Sequence, residues 1–345
     1  MSVAIMLASC GGDAANSAGT SPAPMANPQP PVAPAASRAL TQDDAQIGTC
    51  VNMANHLEPP NEGDWGRAIN KRDFAEIAAK GFKTVRLPVR FSGHAATDAP
   101  YTIDPAFMKR VVEVVDMAKA AKLRVIMDMH NYDELMADPS ANAARFAGLW
   151  KQIATRFSGY DDNLWFEMMN EPHKDLTNAN MLSIFNPALA EIRSTNPDRK
   201  VVIGGEFWSG ISSLATLELP DDKNIIATFH YYEPFNFTHQ GATWVDPAPP
   251  LGTTFGSKAD LDQMNEDVQK AKDYMARTGR PLFMGEYGAH STISLPERIA
   301  YYKATHDAYK SAKIDGCIWG YTNAFPVRDP NTGEWHEEML RAIGL

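Results

Sequence analysis

Only three cysteines occur in 345 residues, too few to staple a small scaffold, so stability has to come from a buried apolar core. No run of about 18 apolar residues is present, the length a helix needs to cross a bilayer. Lysine and arginine number 32 against 42 aspartates and glutamates, a formal net charge of −10. Phosphate backbones are held by clustered cations, so this balance argues against a nucleic-acid partner and suits an uncharged ligand. No glycine-rich phosphate loop follows the first apolar strand, where Cys50-Val51-Asn52-Met53-Ala54-Asn55 stands instead. His94, His130, His173, His230 and His239 are available, but no His-x-His or His-Glu-x-x-His spacing occurs. A metal-dependent hydrolase is therefore disfavoured, and neither metal nor cofactor is expected.

What is present fits a core-forming protein: 44% of residues are hydrophobic and 21% charged. The first 40 residues stand apart. Leu7-Ala8-Ser9-Cys10 resembles the lipobox at which bacterial lipoproteins are cut and acylated, although the segment before Cys10 is short and carries no Lys or Arg. From Gly11 to Ala39 the chain is Ala, Ser, Pro, Gly and Asn, almost without charge, a composition that tethers rather than folds. An ordinary secretory signal is the alternative to a lipid anchor through Cys10. Either places the mature protein outside the cytoplasm, with residues 1–40 outside the fold and one folded domain at 41–345.

Apolar runs that read as buried strands recur at 47–53, 82–88, 123–129, 163–169, 200–204, 224–230, 281–285 and 316–320. Between them, apolar residues at three- and four-residue spacing predict helices over 71–80, 105–121, 142–157, 179–194, 261–278 and 296–313. Pro105 after Asp104 and Pro296 after Leu295 mark helix starts. Strands alternating with helices pair in parallel, and eight such units predict a closed α/β barrel, the (β/α)8 TIM barrel; a doubly wound open sheet is the alternative. Closure would bring the strand ends into one ring. There stand Asn52, Arg86, His130 and Asn131, Asn170 and Glu171, His230 and Tyr232, Glu286, and Trp319. Polar groups at one end of apolar strands are costly to desolvate, so that end is the candidate site.

Asn170 and Glu171 alone are accounted for by a turn cap and the dipole of the following helix. Glu286, at the end of the strand Pro281-Leu282-Phe283-Met284-Gly285, adds a second carboxyl in the same setting. Two carboxyls across a barrel mouth can split a glycosidic bond. One donates a proton to the leaving oxygen, and the other attacks or stabilises the oxocarbenium-like carbon. Seven tryptophans offer flat faces for sugar rings, though each serves equally well as core.

Six motifs follow in order: Arg86-Leu87-Pro88, Asp128-Met129-His130-Asn131-Tyr132, Trp165-Phe166-Glu167-Met168-Met169-Asn170-Glu171-Pro172-His173, His230-Tyr231-Tyr232, Gly285-Glu286-Tyr287-Gly288, and Trp319. Together, from Ile47 to Leu345, they resemble glycoside hydrolase family 5, which includes cellulases, mannanases and related β-glycanases. The resemblance implies Glu171 as acid/base and Glu286 as nucleophile of a retaining double displacement, with carboxyl groups about 5 Å apart. It also implies that Asn170 binds the sugar 2-hydroxyl, that Tyr232 and Arg86 hold Glu286 ionised, and that His130 contacts the sugar. His230 would lie beside the acid/base and Trp319 would floor the subsite. Read singly, Arg86 is a buried ion-pair partner, the histidines are satisfied core groups and Trp319 is packing.

Three further features bear on substrate. Asn52 leads into the loop Glu58 to Gly66, Trp208 offers a stacking platform in a neighbouring subsite, and Phe235 to Trp244 opens the longest loop. The expected substrate is a β-1,4-glucan (cellulose, carboxymethylcellulose or mixed-linkage β-glucan) cut internally by a monomer. A β-mannanase, glucomannanase or xyloglucanase is the alternative on the same scaffold; a non-catalytic glycan-binding lipoprotein is the alternative of another class. Cys50 and Cys317 fall on the first and last strands, neighbours once the barrel closes. Reduced thiols are expected, because bridging adjacent strands of one sheet strains the geometry, although a site outside the cytoplasm permits a bond.

Overall fold

The computed structural model describes residues 38–345; Cys10 and the tether before residue 38 lie outside the described residues. Eight strands, β1 (Cys50–Asn52), β2 (Thr84–Val89), β3 (Arg124–Met129), β4 (Leu164–Glu167), β5 (Val201–Gly204), β6 (Ile225–Tyr231), β7 (Leu282–Tyr287) and β8 (Gly316–Ile318), pair in parallel and in sequence order into a closed barrel. Helices cover the outer face of each strand and the packed barrel interior covers the inner one, which is why these runs are continuously hydrophobic rather than alternating. The helices are α1 (Lys71–Ala79), α2 (Pro105–Ala120), α3 (Asp133–Ala137), α4 (Pro139–Arg156), α5 (Asn178–Thr195), α6 (Phe235–Thr238), α7 (Lys258–Thr278), α8 (Leu295–Ser311) and α9 (Glu337–Ala342). The six predicted helices are found within three residues of their expected ends. Between β5 and β6 the crossover is a short 3-10 turn, Ile211–Ala215.

Local chemistry fixes the helix starts. The Asp104 side chain accepts from Phe107 N ahead of α2, with Pro105 first in the helix, and Ser257 accepts from Asp260 N ahead of α7. No helix among the described residues is long and apolar enough to cross a membrane.

One apolar cluster fills the space between strands and helices. A second, including Ile47, Ile126, Trp165, Val202, Ile226 and Phe283, fills the barrel floor. The segment entering β1 seals that floor: Gln42 Nε2 donates to the carbonyls of Leu282 (2.7 Å) and Lys313 (2.9 Å), and Ala45 and Ile47 are buried. The opposite rim, at the carboxyl ends of the strands, is left open for chemistry.

Cys50 and Cys317 are bonded, their Cα atoms 4.2 Å apart. This corrects the expectation of reduced thiols. The two residues are register partners on β1 and β8, fully buried in the floor cluster. Parallel pairing thus sets both side chains on the same interior face at the spacing of one strand, within reach of a bridge.

Candidate active site

Glu286 reaches the rim through an irregularity in β7. Phe229 pairs with Met284, yet His230 pairs with Glu286, so Gly285 is an extra residue between them; β7 shifts against β8 as well. A bulge of this kind re-aims the side chain that follows it. Glycine is required at the bulge, since a Cβ there would stand 2.7 Å from Thr228 Oγ1 and 3.2 Å from His230 Nε2.

Both oxygens of Glu286 accept hydrogen bonds, one from Arg86 Nη1 at 2.7 Å and the other from the Tyr232 hydroxyl at 2.9 Å. Arg86 is fully buried. Its other donors go to Glu167 in a bidentate pair (2.8 and 2.7 Å), to Asn52 Oδ1 (2.9 Å) and to Asn170 Oδ1 (2.7 Å), while Asp128 lies 3.5 Å away. Asn52 in turn donates to the carbonyls of Gly285 (3.1 Å) and Ile318 (3.2 Å), tying β1 to β7 and β8. The sequence reading put Arg86 at a strand end; β2 instead runs on to Val89, and Arg86 serves the site from within the strand.

Glu171 follows β4 after the short segment Met168–Asn170 and keeps 28% of its side chain exposed, against 4% for Glu286. His230 Nδ1 is hydrogen-bonded to Glu171 Oε1 at 2.8 Å and lies 3.5 Å from Glu286 Oε2. The Asn170 amide is held at both ends, its oxygen by Arg86 and its Nδ2 by His130 Nε2 at 3.3 Å. That bond needs the His130 proton on Nδ1, where Asp128 Oδ1 accepts it at 2.9 Å. The His130 ring lies parallel to Trp319, centroids 5.7 Å apart. Asn131, beside it, takes a left-handed backbone (φ 55°) and lines the cleft. One atom each of Glu171, His230 and Glu286 lie within 4.8 Å of one another. The ring of residues read from the sequence is therefore brought together.

Burial raises both Glu171 and Glu286 above the usual carboxyl range. Arg86 and Tyr232 act against that at Glu286, because each donates to the ionised form. Negative charge on Glu171 in turn raises Glu286. Burial pushes His230 down to about 4 and Tyr232 well above its usual range, so a neutral imidazole and a neutral phenol face the two carboxyls.

Two cavities meet at Glu171. One, of about 540 Å³, contains Glu286, His130, Trp319, Glu58 and Trp65; the other, of about 670 Å³, contains Phe207, Trp208, Phe235 and Asp246. Tyr232, His239 and Trp244 line both. Trp65, Phe207, Trp208 and Trp244 are each about half exposed, so flat rings stand on either side of the carboxyl pair. The cellulase (glycosyl hydrolase family 5) profile matches residues 44–325. The chain belongs to glycosyl hydrolase family 5. Endoglucanase H of Acetivibrio thermocellus is 33% identical over 304 residues, 86% of this chain but 33% of its own length. The chain thus spans about a third of that relative. Cellodextrinase A of Ruminococcus flavefaciens is 26% identical over 75% of this chain and 81% of its own. Among solved structures, endoglucanase Cel5A of Thermotoga maritima superposes with a TM-score of 0.84 at 38% identity, covering 87% of this chain and 98% of that one. Cel5A structures in complex with mannotriose and with cellobiose superpose at 0.85.

Sequence reasoning passed over three buried acids of this family 5 site. Glu167 and Asp128 hold Arg86 and His130; both lie inside quoted motifs, and a buried arginine's need for counter-charges was the available signal. Glu58 accepts the backbone N–H groups of Asn55 (2.7 Å), His56 (2.9 Å) and Leu57 (3.1 Å), folding its own loop at the cleft edge, and burial pushes it up to about 7. Glu171, His230 and Glu286 are also the group spaced to hold a cation among the described residues. The fit is poor, since His230 Nδ1 is already hydrogen-bonded to Glu171 and both Glu286 oxygens already accept from Arg86 and Tyr232.

Proposed function

We propose that the protein is a retaining endo-β-1,4-glucanase with Glu171 as acid/base and Glu286 as nucleophile. The observation that carries this is the closeness of the two carboxyls, one oxygen of Glu171 and one of Glu286 lying within 4.8 Å of each other. Retaining glycosidases hold their carboxyls about 5–5.5 Å apart, whereas inverting enzymes need about 6.5–9.5 Å to admit a water. In the first step Glu286 attacks the anomeric carbon while Glu171 gives its proton to the departing glycosidic oxygen. In the second, Glu171 takes a proton from water as that water displaces Glu286 from the sugar. Asn170, its oxygen held by Arg86, is set to bind the 2-hydroxyl, a contact that strengthens as charge develops at the ring.

Aromatic faces on both sides of the cleavage point favour a chain lying through the cleft, and hence internal cutting of β-glucan. Glucomannan or mannan is the second reading, supported by the superposition on a Cel5A structure that holds mannotriose. Xyloglucan is a further candidate on the same scaffold. The disulfide suits an oxidising compartment outside the cytoplasm, in keeping with a lipidated or secreted chain, and the enzyme is proposed to act as a monomer. A panel of soluble polysaccharides with product sizing assigns the substrate. Proton NMR of the first-formed products should give the β-anomer; the α-anomer would exclude the two-step route. Glu286→Ala should lose hydrolysis and, given azide, yield the α-glycosyl azide, a product that a non-catalytic glycan-binding protein cannot form.

A further inference from the structure

Phe207, Trp208 and Ser209, which follow β5, all take left-handed backbone conformations, with φ of 56°, 55° and 55°. None is glycine, so each is held in a region that L side chains rarely occupy. What holds the turn is the chain on either side of Glu171. Ser209 Oγ donates to the Asn170 carbonyl at 2.8 Å, and Trp208 N donates to the Pro172 carbonyl at 3.0 Å. The carbonyl of Glu171 itself is paired with His173 Nδ1 at 2.7 Å, and that imidazole stacks on Trp208 at 5.1 Å and 10°. Three consecutive carbonyls, 170 to 172, are thus gripped by the turn or by a ring lying on it. Ser209 also accepts from the backbone N–H of His230 at 2.7 Å, and His230 is the side-chain partner of Glu171. The turn packs closely enough that a Cβ at Gly204 would fall 2.3 Å from Ser209 Oγ.

The outer face of the same turn carries Phe207 and Trp208, 60% and 56% exposed, in the cavity on the far side of Glu171 from Glu286. Resting on the reading of Glu171 as acid/base, we propose that this turn is its positioning element. A leaving-group sugar stacked on Trp208 fixes the backbone around Glu171 and so aims its carboxyl at the glycosidic oxygen. Ser209 is the positioning residue; it touches no substrate. Proton delivery then depends on occupancy of the leaving-group side, which favours long chains over glycosides with a single ring there.

Leaving-group dependence tests this. Ser209→Gly removes the hydroxyl while tolerating the left-handed backbone, so the fold is relieved rather than strained. Cleavage of an oligosaccharide, whose leaving oxygen needs a proton, should fall roughly 10- to 100-fold in kcat/KM. The kcat/KM for the matching dinitrophenyl glycoside, which reports the first step alone and whose leaving group departs unprotonated, should stay within about threefold, and that retained rate certifies the fold. Trp208→Gly should show the same split. Equal losses on both substrates, or none on either, would overturn the proposal. A wild-type enzyme inactive on both would instead remove the glycosidase reading beneath it.

Discussion

Gly285→Ala would place a methyl group 2.7 Å from Thr228 Oγ1 and 3.2 Å from His230 Nε2, both inside normal contact. Neither neighbour can yield freely. Thr228 is β-branched, fully buried and mid-strand, and His230 is tied by its Nδ1 to Glu171. The strain should therefore fall on the bulge, moving Glu286 away from Arg86 and Tyr232. Overpacking of a tight core costs about 1–3 kcal/mol, so the variant should fold with a lowered urea midpoint. Displacing a reacting group by about 1 Å costs roughly 100-fold in rate, so kcat should fall far more than stability implies. Relief is available at Thr228, whose Oγ1 is buried without a hydrogen-bond partner and is dispensable on that account. Thr228→Ala combined with Gly285→Ala should recover activity, with a coupling energy on the order of 0.5–3 kcal/mol. Kinetics and urea unfolding of the two single variants and the double variant make the test. If Gly285→Ala keeps kcat within about twofold, or if the double variant is no better, the bulge does not set the nucleophile.

Tyr232→Phe removes a donor that favours ionised Glu286, worth about 1.5–3 kcal/mol for a bond to a charged group; kcat should drop roughly tenfold to a hundredfold. The carboxyl, already pushed up by burial, should rise further, moving the acidic limb of the kcat/KM profile to higher pH; an unmoved limb would assign it to another group. Cys50→Ala with Cys317→Ala should lower unfolding stability by about 2–4 kcal/mol and leave kcat at 25 °C unchanged, because the bond lies in the floor. Exhaustive EDTA treatment should leave activity intact, and a loss restored by one divalent ion would reopen the cation reading of Glu171, His230 and Glu286.

The barrel was legible because its signal is redundant. Eight strands buried on both faces read as unbroken apolar runs, and helices with one wet face read at a 3.6-residue period. The rim was legible for the opposite reason: Arg86, Glu171 and Glu286 sit where apolar residues would cost nothing. The bulge at Gly285 was not, since one extra residue in β7 leaves the hydropathy pattern untouched and shows only in the register against His230. Nor was the left-handed turn, because Phe207, Trp208 and Ser209 carry no local preference for it; contacts to a different strand end impose it. The disulfide was misjudged from adjacency alone, as the register that aligns Cys50 with Cys317 is a property of barrel closure.

A single buried cation serves several acids here, and how they share it decides which one is reactive. Arg86 gives a bidentate pair to Glu167 and one bond to Glu286, while its nearest approach to Asp128 is 3.5 Å. Asp128, with one oxygen lacking a hydrogen-bond partner, is pushed up to about 7 by burial. Protonated, it can still accept from His130 Nδ1 through Oδ1. With Glu167 answering the guanidinium and Asp128 near neutrality, the uncompensated negative charge of the cluster rests on Glu286. That residue opens to the cleft where the anomeric carbon turns positive, so the charge left over by the core is available where the transition state needs it.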